Sequence, residues 1–521
     1  MFAKFILGAT GRATLNLNTV ASSASIAGQA YMNDAQAAFA DTSAVAASDG
    51  IVGGFRYTTA GALRVYDATA GLPANTSVNQ GVAMTTDGQA CYTTDVNTTY
   101  FNLAGVALDS ISRVYANVLA FQLTFADAGA GVVTTTEAIS AATPTFTRAT
   151  AATTVLSTGL IGSVASGDPR SYYDPTSLTY LGYLAEGART NLCLQSETFQ
   201  NASWTKTTAT AADDSKTGPD GATSASLITV TTASNTTLYQ TFSVSASTTY
   251  TVSFFGKAST GTQAFNFGFS DFSANSFGGT GNFSTGVVAL ATNVGGAVGL
   301  SVSAKQYQNG WWRFTLSGTT DGAAISYSLT IGGDTTGMTF DVYGAQLEAA
   351  SFASSYIPTT TLAVARNADV LTYPTSPWFN ATAGTLFSQW RILGNAPASY
   401  PAVTSINDGT GNERYVQFHN SDNNQAQLTV VDGGVAQVAD LGSTAVALDT
   451  TAKTAYAYAV NDFSISTNTG AVSSDTAGTL PTVTTLSIAG DPGSTGIFGT
   501  LRRVTYYGSR LANAELQAIT T

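Results

Sequence analysis

Charge is what this 521-residue sequence has least of: charged side chains make up 10% of it, against roughly 25% in ordinary soluble domains. Its 20 Lys and Arg against 32 Asp and Glu leave a net charge of −12, and the cations are scattered. No basic stripe is available to neutralise phosphates, so nucleic acid is excluded as a partner. Histidine occurs once, as His419, which leaves no pair of imidazoles for acid–base work or for a metal. The two cysteines, Cys91 and Cys193, lie in different predicted domains and read as free, small apolar side chains rather than a disulfide. Long apolar runs are absent too. None approaches the roughly 18 residues that span a bilayer, and the run in "MFAKFILGATGR" ends too soon for a secretion signal. These absences predict a soluble protein made in the cytoplasm, without membrane contact.

What the sequence does have is 44% hydrophobic residues, enough for real cores, and a polarity carried by Ser, Thr, Asn and Gly. Such a hydroxyl-rich surface is usual in extracellular-type β-proteins built from short strands and Gly/Asn turns. Combined with the missing export signal, it points to particles that leave a cell by lysis. The length calls for about three or four domains.

Alternation predicts an all-β chain: a small N-terminal β-domain with one helix within 30–47, followed by two β-sandwich domains. Residues 55–66, 82–94 and 105–115 read as hairpins of the first part, with Asp87-Gly88 the clearest turn. A connector is expected over 143–187, where "SGDPRSYYDP" favours turns. Strands at 237–245, 249–258, 263–271, 311–319, 324–332 and 338–348 predict a jelly roll over 188–358. A proline-punctuated linker, 359–377, leads to a second sandwich over 378–521. The chain closes on a short helix, "NAELQAIT", with Asn513 as its N-cap.

Several phrases resemble a recurrent module of tailed-phage fibre and appendage proteins: "TFTRATAATTV", "GYLAEGARTNLCLQSETFQNASWTK", "YGAQLEAASFASSYIPTT" and "VARNADVLTY". There they bracket a jelly roll akin to carbohydrate-binding modules. The later stretch ending "RRVTYYGSRLANAELQAI" is similar to the concanavalin/laminin-G-like lectin sandwich that often follows. The resemblance spans 143–521 and implies a virion structural protein: a tail fibre, tail spike or head fibre, homotrimeric, attached to other virion proteins through residues 1–142 and presenting its sandwiches to host-surface glycans. A capsid decoration or cement protein is the alternative, and a tailspike depolymerase the second. Modules of this kind often hold a structural calcium through an early acid and an Asp of the final strand. Here Gln200 falls where the early acid would be and Glu197 is displaced, leaving Asp341 as a single matched ligand, with an ordinary turn-bonding Asp the competing reading. No other cofactor is predicted.

Sugar binding by sandwiches relies on aromatic faces with amide, guanidinium or carboxylate partners. The candidates are Trp204, Trp311, Arg313, Tyr327, Tyr343, Tyr415, Gln417 and His419, each with a competing role in packing. In "YQNGWWRFTLS", alternation puts Trp312, Phe314 and Leu316 on one side and Trp311, Arg313, Thr315 and Ser317 on the other. The first row is expected to be core and the second exposed. In "RYVQFHNS", Val416 and Phe418 are likewise expected inside, with Tyr415, Gln417 and His419 outside. Asp168, Asp174, Glu186, Glu348, Asp408 and Glu413 are the acids a depolymerase would draw on. Most sit in apparent turns, and the coil periodicity of a parallel β-helix is missing, so no enzymatic activity is expected.

Overall fold

The computed structural model describes residues 119–137 and 143–521, except 235, 261–262, 274, 324 and 493–495, together with six short strands further upstream. Those six form three antiparallel hairpins, Lys4–Leu7 with Ala13–Asn16, Gly54–Tyr57 with Leu63–Tyr66, and Cys91–Thr93 with Tyr100–Asn102. The second matches the hairpin expected at 55–66. The helix within 30–47, the Asp87-Gly88 turn and the unit at 105–115 lie outside the described residues.

The described chain is almost entirely β. Two six-stranded antiparallel sheets, drawn from 205–348, face each other as the jelly roll. One sheet runs in the order Thr205–Lys206, Leu238–Ser243, Ser326–Gly333, Ala264–Ser270, Ser276–Asn282, Val288–Val294; the other runs Ala209–Thr217, Thr223–Val230, Thr339–Glu348, Thr249–Thr260, Trp312–Thr319, Val298–Gln306. The "AFNFGFS" alternation sends Phe265, Phe267 and Phe269 inward, where they meet Phe254, Phe283, Phe314 and Phe340. Glycines make room for these rings: a Cβ on Gly256 would lie 2.3 Å from Phe283, and one on Gly281 2.4 Å from Phe265. Glycine is ordinarily a poor strand residue, and here the space it leaves is filled by aromatic packing.

The second sandwich is discontinuous in sequence. Its nine-stranded sheet contains Leu119–Gly129, Val132–Glu137, Arg170–Tyr173 and Tyr180–Ala185 beside Phe498–Tyr507 and Ala383–Gly394. Its seven-stranded sheet takes in Thr145–Thr147 and Val370–Pro374. Segments read as an N-terminal region, a connector and a linker therefore supply strands to the C-terminal domain. Tyr183 pairs with Leu501, more than 300 residues away, a partnership that local pattern does not encode. The jelly roll is thus an insertion, and its incoming Arg189–Asn191 and outgoing Val364–Arg366 strands pair as a neck. The terminal helix, Asn513–Ile519, begins one residue earlier than expected: Ala512 is the cap position and Glu515 accepts its N–H at 2.6 Å. Leu516 and Ile519 pack it on Phe387, Ala455 and Tyr507.

Beside the neck lies a buried charge cluster. Asp369 pairs with Arg148 at 2.8 Å and Arg170 at 2.5 Å, and Glu186 with Arg170 at 2.7 Å and Arg366 at 2.9 Å, all with side chains 0–1% exposed. These residues stand in "TFTRAT", "DPRSYY", "AEGART" and "VARNAD", so much of the phage-like phrasing is the joint between the sandwiches. Burial alone would raise the Glu186 carboxyl; the charges of Arg366 and Arg170 and the hydrogen bonds from Ser355 outweigh it and bring the pKa from 4.5 to about 2. A depressed carboxylate contributes stability that is complete above its unfolded pKa and is lost as pH falls through the folded one. Glu186 should therefore contribute about 3 kcal/mol at neutral pH, lost between pH 4.5 and 2. Melting temperature followed from pH 6 to about 2 should fall less steeply for Glu186→Gln than for wild type; parallel profiles would contradict this assignment.

Candidate glycan-binding cleft

The residues singled out for sugar contact are buried, and the structure does not gather them into one site. Trp204 packs on Phe199 and donates Nε1–H to the Gln195 carbonyl at 3.0 Å. Tyr327 packs on Phe269 and donates to Asp321 at 2.8 Å, and Tyr343 donates to Glu197 at 2.9 Å. In the C-terminal sandwich, Tyr415, Gln417 and His419 do share a face, but it is the interior one. Tyr415 lies 4.4 Å from the Tyr458 ring, Gln417 accepts from Ser388 of the opposite sheet at 2.7 Å, and His419 sits against Trp390. Burial lowers the His419 pKa, favouring the neutral ring. Val416 and Phe418 form the other row, with Ala402 beside them on the neighbouring strand and the Tyr400 ring edge-on to Phe418. The parity was legible and the side was not, because Ser388, Thr404 and Thr454 make this interior polar enough to receive amides and imidazole.

For the adjacent tryptophans the expected core row holds, Phe314 and Leu316 being fully buried, and what is overturned is the exposure of Trp311. Trp312 is half-buried and packs on the Phe-rich core, whereas Trp311 is 0% exposed. It lies on the outer face of the second jelly-roll sheet with Phe255, Tyr307 and Tyr343, under Val155 and Ile161 of the Ala152–Val155/Ile161–Val164 hairpin and under Tyr356. That face is the junction between the sandwiches, so Trp311 offers no ring to solvent.

Further along the same face the junction opens into a cleft of about 310 Å³. One wall is strand register made visible: Ser301 opposite Ser317, Ser303 opposite Thr315, Lys305 opposite Arg313. The other wall belongs to the C-terminal sandwich, with Tyr172, Asp174, Leu393, Asp449 and Phe498. Lys305 bridges the walls, 2.9 Å from Asp174 and 3.2 Å from Asp449, and Asp449 also holds Arg391 at 2.8 Å. Partial burial opposes ionisation of Asp174, but Lys305 and the amides of Ser177 and Thr176 prevail and set its pKa at about 2. Arg313 lines the cleft with its guanidinium already engaged, by the Ser354 carbonyl at 2.7 Å and Ser253 Oγ at 3.0 Å. Of the predicted contacts, Arg313 alone reaches this cleft. Its exposed hydroxyls, Ser301 and Ser303, carried no signal beyond strand alternation.

Of the acids named for a hydrolase, Asp174 lines the cleft and the three glutamates are engaged elsewhere. Glu186 belongs to the neck, Glu348 accepts from Gln346 and Ser354, and Glu413 accepts the amides of Gly433 and Thr482. Asp341 is a single carboxylate, where calcium takes roughly six to eight oxygens. Its Oδ1 is buried without a hydrogen-bond partner, burial raises its pKa, and the charges it feels are the ammoniums of Lys216 and Lys257. Among the described residues, no group of three or more metal-ligating side chains occurs, and no helix is long and apolar enough to cross a membrane.

No protein-family model and no curated protein sequence matches the chain. Among solved structures, the carbohydrate-binding module (CBM40) of the Ruminococcus gnavus IT-sialidase, bound to α2,3-sialyllactose, aligns at 16% identity over 27% of this chain and 83% of its own, with a TM-score of 0.24. Trypanosoma rangeli sialidase aligns at 12% identity over 54% of this chain and 53% of its own, TM-score 0.23. In complex with the inhibitor DANA it aligns at 11% over 68% and 67%, TM-score 0.24. The chain thus spans about half the length of one of these neighbours. Scores this low carry no argument about ligand or chemistry.

Proposed function

We propose that this chain is a noncatalytic virion protein of a tailed phage, a fibre, spike or head fibre, that holds a host-surface glycan in the cleft between its two sandwiches. The observation that carries the reading is the cleft itself. A wall of hydroxyls faces two carboxylates, the arrangement that exchanges hydrogen bonds with a polyhydroxylated ligand. The phage-like phrases support the virion setting. Residues upstream of Leu119 supply attachment to other virion proteins, and the particle-bound form is a homotrimer; a mass measurement finding only monomer would remove that part. The noncatalytic reading takes Asp174 as unfit for the acid role of a hydrolase, although its ionised form suits the base or nucleophile role. A glycoside hydrolase needs one carboxyl held protonated near neutrality, and the Asp174 pKa is displaced the other way.

Purified full-length protein should bind host lipopolysaccharide or capsule without releasing reducing ends. Ser303→Trp places an indole in the cleft from an exposed position and should weaken that binding by about tenfold or more, with the melting temperature unchanged. Undiminished binding by this variant would move the site elsewhere, and release of sugars would overturn the noncatalytic reading.

A further inference from the structure

The resemblance that implies a calcium in the jelly roll puts Gln200 in the place of the early acid, and the loop around Gln200 already holds a cation. Lys206, ending the Thr205–Lys206 strand, folds back onto that loop. Its Nζ lies 3.1 Å from the carbonyl oxygen of Phe199, 2.9 Å from Gln200, 2.9 Å from Asn201 and 2.7 Å from Trp204. An ammonium has three N–H donors. Four carbonyls at nearly equal distance are one more than it can bond singly, a layout that suits a spherical charge. The loop is held in this shape independently of Lys206. The Trp204 ring is buried against Phe199 at 4.7 Å, the Trp204 N–H bonds the Asn201 carbonyl at 3.1 Å, and Gln200 N–H bonds Asp213 at 2.9 Å. Burial in this cage lowers the Lys206 pKa, against the pull of Asp213.

We infer that the 199–204 loop is a cation cradle whose resident cation is the tethered Lys206 ammonium, so that this loop takes no metal ion. The charges that reach Asp341 are those of Lys216 and Lys257, and the cradle stands on its own four carbonyls. The carbonyl distances of 2.7–3.1 Å exceed the roughly 2.3–2.6 Å that calcium takes. They suit a larger monovalent ion of the kind that rings of backbone carbonyls hold, such as potassium.

The test uses the full-length chain. Lys206→Ala empties the cradle, and Lys206→Met fills it with an uncharged chain of similar length. Melting is followed after chelator treatment, in choline chloride, potassium chloride or calcium chloride at matched ionic strength. Wild type should melt at one temperature in all three. Both variants should melt about 4 °C lower or more in choline, and potassium should restore most of the loss in the alanine variant and none in the methionine variant. A wild-type melt that rises with calcium overturns the inference. So does a melt unchanged in either variant, or an alanine variant that potassium and choline leave alike. Should the alanine variant fail to fold, the methionine variant and the wild-type series still decide.

Discussion

Asp369→Asn is expected to destabilise the protein by about 3–5 kcal/mol, the cost of removing one partner from a fully buried ion network. Asparagine keeps the shape of the side chain and removes only its charge, so packing loss does not confound the result. In the wild type Asp369 engages Arg148 and Arg170 at once and also accepts the Glu186 amide at 3.0 Å. Without it, Arg148 loses its ion-pair partner, and Arg170 must share Glu186 with Arg366. The consequence reaches both domains, because the cluster fastens the strands that enter and leave the jelly roll to the sheet of the C-terminal sandwich. Asp462→Asn is the control. Its partner Arg510 lies at 2.7 Å, but the carboxylate is 48% exposed, and pairs of that kind contribute about 0–1 kcal/mol. Thermal or urea melts of the two variants should differ widely; equal losses would show that the neck cluster is not a fastening. Replacing cluster members together with apolar residues of matched volume should cost less than Asp369→Asn alone, since no uncompensated charge remains buried.

Trp311→Ala should cost about 3–5 kcal/mol by opening a cavity at the junction, and Trp312→Ala only about 1–2 kcal/mol, because that ring is partly exposed. Trp311 is surrounded by Phe255, Tyr307, Tyr343 and Tyr356 on the jelly-roll side and by Val155 and Ile161 from the hairpin above. Its removal should loosen the hairpin from the sheet as well as lowering the melt. The indole Nε1–H is buried without a hydrogen-bond partner, so Trp311→Phe removes an unsatisfied donor along with some volume and should recover most of the loss. Differential scanning calorimetry on the three variants checks the order. A Trp312→Ala variant that proved the less stable of the two alanine variants would reverse the assignment of the faces.

Much of the jelly roll was legible because its strands alternate sharply and follow one another in sequence. The C-terminal sandwich was legible only in its second half. Leu119–Gly129 and Tyr180–Ala185 alternate as clearly as other strands, yet their neighbours in the sheet include the Phe498–Tyr507 strand far along the chain, and hydrogen-bond partners at that separation leave no local mark. The buried charges were hidden for a related reason. Arg148, Arg170, Glu186, Arg366 and Asp369 each look like an ordinary surface residue or turn residue until the insertion brings the five together. Lys206 carries no mark in the sequence because its partners are backbone carbonyls, which every residue has.

Strand periodicity by itself determined that the chain is β-rich and which side chains share a face: Trp311 with Arg313, Tyr415 with Gln417 and His419. Only the tertiary structure decided which of the two faces is covered. In a protein with so few charges, Ser, Thr, Gln and His can be buried in hydrogen bonds to one another at little cost, so polarity stops marking the outside. Each sheet also has two faces that can be covered, one by its partner sheet and one by the neighbouring domain. The apolar/polar alternation found the first kind of burial for Phe314 and Leu316, missed it for Tyr415, Gln417 and His419, and is silent about the second.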